Sequence, residues 1–229
     1  MIKYILTDIE GTTTSISFVV DCLFPYFLKH VDELKDSIDT AFVQNQIDKV
    51  KQTVLDEENK NISTDQAFEY LILWCKNDRK HPALKALQGM VWEKAYQNGS
   101  IKGHIYPEVA NALKRWKSKD IILGIYSSGS VAAQKLLFGF SEAGDLNSLF
   151  AHNFDTAVGH KREVASYENI RKDINFEACE ILFLSDIEEE LDAAASAGLR
   201  TIKLIRPGTK AVSKYTMVNN FDEIDNLIF

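Results

Sequence analysis

The chain has 229 residues, 45% of them hydrophobic, with 26 Lys and Arg against 33 Asp and Glu for a formal net charge of −7. That composition suits a packed globule rather than a disordered chain, and the length allows one large domain or a core with a smaller insert. Without a basic stripe to neutralise phosphates, a nucleic-acid or anionic-membrane partner is excluded; a small phosphorylated molecule, which needs only a local positive site, is not.

Tyr4-Ile5-Leu6 reads as a buried strand ending at Thr7. The stretch Asp8-Ile9-Glu10-Gly11-Thr12-Thr13-Thr14 follows, with two acids one residue apart, a glycine and three hydroxyls. Acids delivered at the carboxyl end of a strand stand where open α/β sheets bind ligands. From Ser15 to Phe27 the chain predicts an apolar, aromatic helix that Pro25 kinks or ends. From about residue 31 to 98 the character is wholly helical. Phe42, Ile47, Val50, Val54 and Leu55 mark one face of a charged helix, and Ser63-Thr64-Asp65-Gln66 resembles a capping box opening the next. That next helix carries Phe68, Leu71, Ile72, Trp74 and Cys75; Pro82 fits the first turn of another, which stops near Asn98-Gly99. A block with no strand signal, lying between one strand and all the others, reads as a helical insert in an α/β core.

Strand and helix alternate after Gly103. A helix from Pro107 runs through Val109, Leu113 and Trp116 to an apolar strand over residues 121–126, which ends in Ser127-Ser128-Gly129-Ser130. A helix with Ala132, Ala133, Leu136 and Leu137 leads to a weaker strand near residues 149–153, then to a loop with Gly159-His160-Lys161. A helix over about 163–173 leads to the strand Ile181-Leu182-Phe183-Leu184, ending in Ser185-Asp186. One more helix stops near Gly198 before the strand Thr201-Ile202-Lys203-Leu204-Ile205. The alternation implies a mostly parallel sheet wound by helices. Cys22, Cys75 and Cys179 are widely spaced with no CxxC pairing, as in reduced, intracellular proteins. The apolar run before Asp8 is too short for a signal peptide, and none reaches the ~18 residues of a membrane span. The expectation is a soluble, cytoplasmic protein, with a nuclear share if its source is eukaryotic.

Three strand ends are therefore polar, and their chemistry is complementary. Asp8 and Glu10 suit a hard cation; Ser127, with the amides of residues 128–130 at a helix N-terminus, suits an anion; Asp186 adds a third acid and Lys161 a positive charge. Together these are the parts of a metal-assisted phosphoryl-transfer site. Glu188, Glu189 and Glu190 read first as an acidic helical turn favoured by the helix dipole, with only Glu190 spaced to support Asp186. His160 reads as a loop residue, and Phe18, Phe24, Tyr26 and Phe27 as packing, with Phe18 kept open as a substrate contact.

On these motifs the chain resembles the haloacid dehalogenase-like hydrolase superfamily, whose four motifs match Asp8-Ile9-Glu10-Gly11-Thr12, Ser127, Lys161 and Asp186. It is similar above all to the enolase-phosphatase (acireductone synthase) branch, which writes Glu where other members carry a second Asp. The resemblance implies a Rossmann-like parallel sheet core over 1–20 and 101–229, with an all-helical cap over 21–100 inserted after the first strand. It implies Asp8 as the nucleophile that forms an aspartyl-phosphate, and one Mg2+ per subunit held by Asp8, Asp186 and the Glu10 main-chain carbonyl. Glu10 is implied as the acid and base, with Gly11 keeping the backbone close to the phosphate and Thr12 closing the turn on the substrate side. Ser127 and Ser128 are implied as substrate donors, and Lys161 as the group that neutralises the phosphoryl charge and keeps Asp8 ionised.

The implied substrate is 2,3-diketo-5-methylthiopentyl-1-phosphate, a small phosphorylated diketone of methionine salvage that is enolised and then dephosphorylated. A monomer with no nucleic-acid or membrane partner is expected. Two alternatives stay open: a general small-molecule phosphatase or phosphomutase without enolisation, and a non-enzymatic phosphate-binding regulator.

Overall fold

The computed structural model describes all residues, 1–229, and the chain divides into two compact units. Unit one comprises residues 1–16 and 102–229, and unit two residues 17–101.

Unit one is built on six strands: β1 (Tyr4–Thr7), β2 (Ile122–Tyr126), β3 (His152–Phe154), β4 (Ile181–Ser185), β5 (Arg200–Leu204) and β6 (Met217–Val218). They form one sheet in the order β3-β2-β1-β4-β5-β6, with every pair parallel. All residues of β1 and β4 are buried, so both faces of the sheet are covered, as continuous apolar runs in a parallel sheet require. The strand order reverses between β1 and β4, where open α/β sheets form their ligand crevice at the carboxyl ends. Within the core, Tyr4, Leu6, Tyr126, Tyr167, Ile170 and Phe183 pack together.

The helices of this unit are numbered after those of unit two: α5 (Val109–Ser118), α6 (Val131–Gly139), α7 (Val164–Ile174), α8 (Glu188–Ser196) and α9 (Asp222–Ile228). The weak strand expected near 149–153 lies later, because residues 147–149 form a 3-10 turn and pairing starts only where Gly124 meets His152. Sequence reading stopped at Ile205 and missed β6 and α9. A two-residue edge strand and a seven-residue helix carry too little periodicity to register.

Unit two holds α1 (Phe24–His30), α2 (Ala41–Glu58), α3 (Thr64–Lys76) and α4 (Pro82–Gln97). The Ser63 box closes as expected, with Ser63 accepting from the Gln66 amide and Gln66 from the Ser63 amide. Pro25 neither kinks nor ends a helix. It sits in the first turn of α1, where the missing N–H is not needed, and the chain arrives through a π-helical turn over Phe18–Leu23 that closes on Phe24 N–H to Val19 carbonyl. Val43, Ile47, Val50 and Val54 form the buried stripe of α2, while Phe42, one position off that spacing, is exposed. The stripe packs with Phe68, Leu71 and Trp74 of α3 and Leu84 and Leu87 of α4. Trp92 donates its indole N–H to the Leu23 carbonyl at 2.9 Å.

Candidate active site

The register of three central strands levels their carboxyl ends. Thr7 pairs with Ile125 on one side and Leu184 on the other, so Asp8, Ser127 and Asp186 emerge together. Asp8 still belongs to the ladder through its N–H, which donates to the Leu184 carbonyl at 2.9 Å. Beyond it the chain folds back on itself. The Ile9 carbonyl accepts the amides of Thr12, Thr13 and Thr14 at 2.9–3.1 Å, and the Gly11 amide donates to the Thr14 carbonyl. Gly11 takes φ +76°, and a Cβ there would overlap the Asp186 carboxylate. The expected reason for this glycine was approach of backbone to phosphate; the observed close approach is to Asp186.

Lys161 comes from the loop before α7 and is 4% exposed, against 3% for Asp8. Its ammonium pairs with Asp8 Oδ1 and, at 2.7 Å, with Glu190 Oε2. The loop reaches inward because Gly159 takes φ +131° and leaves no room for a side chain beside Ser166 Oγ. Tyr126 donates to the Gly159 carbonyl at 3.0 Å, and Tyr167 to the Lys161 carbonyl at 2.7 Å. His160, next in sequence, is exposed. Glu190 was read only as a support for Asp186. It instead binds Lys161 directly and accepts from Ser185 Oγ at 2.9 Å.

Ser127 is fully buried and its hydroxyl is engaged, donating to Glu10 Oε2 at 3.0 Å and accepting from the Gly129 amide at 3.0 Å. Ser128 is exposed. The expected cradle of amides before α6 is narrower than the sequence suggested. Gly129 N–H is turned onto Ser127, Asp155 accepts from Val131 N–H at 3.2 Å, and Ser130 accepts from Ala133 N–H at 3.3 Å. Thr12 is buried with no partner for its hydroxyl, while its carbonyl accepts twice from Arg206, at 2.9 and 3.2 Å. Arg206 escaped the sequence reading; its one signal was an arginine at the end of an apolar strand, before Pro207-Gly208.

The electrostatics are unbalanced. Glu10, Asp186 and Glu190 all act on the Asp8 carboxyl, and Lys161, paired with Asp8 and Glu190, is the cation that opposes them. Burial pushes the Asp8 carboxyl well above the usual carboxylate range; Lys161 opposes this, and Glu190, Glu10 and Asp186 add to it. Burial also lifts Asp186 to about 6, with Glu190 and Glu10 contributing and its own amide and Lys161 opposing. Lys161 is held charged despite burial, because Asp8 and Glu190 raise it above its ordinary value.

A second cation fits this arrangement. Asp186 Oδ1 is buried with no hydrogen-bond partner, and the donors gathered here are hard oxygens. No group of three His, Cys, Asp or Glu side chains forms a complete metal cage. Two strand-end carboxylates, a glutamate that accepts from a serine hydroxyl and a buried lysine are groups of the kinds that nucleophilic and acid–base chemistry at a phosphoryl group can use.

Comparison with known proteins gives a consistent result. Residues 2–198 match the family model of the haloacid dehalogenase-like hydrolases. The chain is 51% identical to Enolase-phosphatase E1 of Pseudomonas fluorescens over 225 residues, covering 98% of this chain and 97% of that one. It is 45% identical to Enolase-phosphatase E1 of a Picosynechococcus strain, over 99% of this chain and 100% of the other. Among solved structures, the UTR4 protein of Saccharomyces cerevisiae superposes with a TM-score of 0.82 at 39% identity, covering 97% of this chain and 99% of that one.

Proposed function

We infer that the chain, which belongs to the haloacid dehalogenase-like hydrolase family, is an enolase-phosphatase of methionine salvage, a phosphoric monoester hydrolase like the full-length relatives named above. The substrate of this reading is 2,3-diketo-5-methylthiopentyl-1-phosphate. The observation that carries it is the buried Asp8 carboxylate held by Lys161 and flanked by the Ser127–Glu10 contact. The remaining assignments belong to the proposal.

In this reading Asp8 and Asp186, with the Glu10 carbonyl, hold Mg2+, which when bound supplies Lewis-acid stabilisation to the developing enolate and to the phosphoryl oxygens. Glu10 removes the carbon-bound proton of the diketone, and the enolate oxygen so formed takes up a proton from solvent to give the enol-phosphate. Asp8 then attacks phosphorus: the new carboxylate O–P bond forms as the bond from phosphorus to the ester oxygen breaks. Glu10 returns its proton to that leaving oxygen. Ionised once more, Glu10 takes a proton from the water whose oxygen attacks the aspartyl-phosphate; the bond from Asp8 to phosphorus breaks, phosphate leaves, and Glu10 then releases that proton to solvent, so that Asp8 and Glu10 are both restored as carboxylates. Ser127 orients Glu10 while its hydroxyl lies on Oε2, and Lys161 offsets the phosphoryl charge. Thr12 and Ser128 complete the substrate side.

The helical unit, residues 17–101, serves as a lid that excludes water and selects the methylthio tail. A product-bound structure with the Asp8 loop open to bulk water would remove that role. No helix is long and apolar enough to cross a membrane. The curated relatives named above are bacterial, which favours a cytoplasmic location over a nuclear one; the working unit of the proposal is the monomer. The deciding assay offers the diketone phosphate with and without Mg2+ and follows enol absorbance and free phosphate together. Both signals should require Mg2+, with absorbance leading phosphate. Phosphate release without any enol signal would leave a general phosphatase instead.

Asp186→Asn tests the cation site from two sides. In the metal-free chain the folded state holds the Asp186 proton up to about 6, against 3.8 for an unperturbed carboxyl. Ionisation therefore costs stability as pH rises from about 4, and the cost is complete above about 6, reaching roughly 3 kcal/mol. In EDTA at pH 7.5 the variant should melt about 6–12 °C above the native chain, and the gap should close towards pH 4. Its Mg2+ titration should shift to at least tenfold higher concentration. Unchanged melting together with an unchanged titration would remove Asp186 from the site.

A further inference from the structure

Arg206 lies just past β5 and is 7% exposed. Its guanidinium makes four polar contacts: Nε and Nη2 to the Thr12 carbonyl at 3.2 and 2.9 Å, Nη2 to Glu108 Oε1 at 2.7 Å, and Nη1 to the Asn219 carbonyl at 3.1 Å. It stacks on Tyr106, 3.9 Å from the ring centre. The segment under that stack holds the same loop from its other end. Tyr106 N–H donates to the Thr13 carbonyl at 3.0 Å, and Thr14 Oγ1 donates to the His104 carbonyl at 2.5 Å.

We propose that Arg206, braced by Glu108 and Tyr106, is a positioning residue that fixes the loop carrying Asp8 and Glu10; as a statement about turnover this rests on the function proposed above. The Asp8 loop is a closed set of hydrogen bonds, with three amides from residues 12–14 converging on the Ile9 carbonyl. Ile9 stands between the two reacting acids. Any shift of residues 12–14 is therefore passed to Ile9, and so to Asp8 and Glu10. Thr12 has a buried hydroxyl with no partner, so backbone contacts hold it, and the Arg206 fork is the charged one. A planar guanidinium can grip one carbonyl with two N–H groups, bind a carboxylate and stack on a ring at once. A lysine ammonium can do only part of this. Misalignment by about 1 Å at a reacting pair can cost on the order of 10²-fold in rate, so a clamp remote from the chemistry still controls turnover.

The test compares the native chain with Arg206→Lys and Glu108→Gln, by amide hydrogen exchange and by steady-state turnover of the diketone phosphate at saturating Mg2+. For Arg206→Lys, the amides of Gly11 to Thr14 should exchange at least tenfold faster, while those of Ile5 and Leu6 in β1 stay unchanged. Its kcat should fall about 10- to 100-fold with KM within about threefold. Glu108→Gln keeps an acceptor but loses its charge, and should move both readouts in the same direction by less. A folded Arg206→Lys protein with native exchange in the loop, or with kcat within twofold of native, overturns the proposal. If Arg206→Lys does not fold, Glu108→Gln decides on the same two readouts. A native chain that leaves the diketone phosphate untouched counts against the function instead, and the exchange result then decides the clamp without reference to substrate.

Discussion

Asp8→Asn should lower phosphate release by on the order of 10³-fold or more, while the enol-phosphate intermediate accumulates as ultraviolet absorbance without free phosphate. In the proposed mechanism enolisation calls on a base and charge stabilisation, whereas phosphoryl transfer also needs the Asp8 carboxylate as nucleophile. The expected loss corresponds to about 4 kcal/mol of barrier, at ~1.4 kcal/mol per tenfold. The fold should survive, because Lys161 keeps Glu190 at 2.7 Å and the substitution removes one charge from a cluster with too many acids. An amide oxygen is a poorer metal ligand than a carboxylate, so the comparison belongs at saturating Mg2+. If phosphate appears at near-native rate, with deamidation back to Asp excluded by mass, Asp8 is not the nucleophile.

Much of this site was legible because it is made of strand ends. A parallel strand buried on both faces is a plain apolar run, so the first polar residue after it is conspicuous. That is how Asp8, Ser127 and Asp186 could be picked out and aligned before their register was known. Lys161 was harder, since a lysine in a loop is usually solvated. Its burial depends on the Gly159 turn and on two tyrosines, Tyr126 and Tyr167, that come from separate elements. Glu190 lay in plain sight four residues after Asp186, yet its contact with Lys161 needs α8 and the α7 loop brought together, which spacing along one helix does not encode. Arg206 and the segment at residues 104–108 were invisible for a related reason. Their role is a set of main-chain contacts across about a hundred or more residues, and backbone acceptors leave no trace in side-chain pattern. Among the helices, Pro25 misled because a proline that would break an α-helix is harmless in a first turn entered from a π-helical one.

Removing Lys161 should produce the largest loss of stability at the site. Lys161→Met deletes the one cation between Asp8 and Glu190 and leaves both acids buried. Breaking a buried pair in this way costs about 3–5 kcal/mol, because the remaining acids lose their counter-ion and keep only neutral partners such as the Ser185 hydroxyl on Glu190. For a chain of this length the melting temperature in EDTA at pH 7.5 should fall by roughly 10 °C. Burial already raises the folded Asp8 carboxyl above its unfolded value, and loss of Lys161 raises it further. The folded state then binds protons more tightly than the unfolded one, so the deficit should shrink as pH falls below the folded value and grow as pH rises through it. Phosphate release should fall at least 10²-fold, since the proposed mechanism uses Lys161 to offset phosphoryl charge. Adding Glu190→Gln separates the two effects. It withdraws one stranded charge, so the double variant should regain much of the melting temperature yet none of the activity. Should Glu190→Gln restore turnover as well, Lys161 would serve only to neutralise buried acids and would have no part in the chemistry.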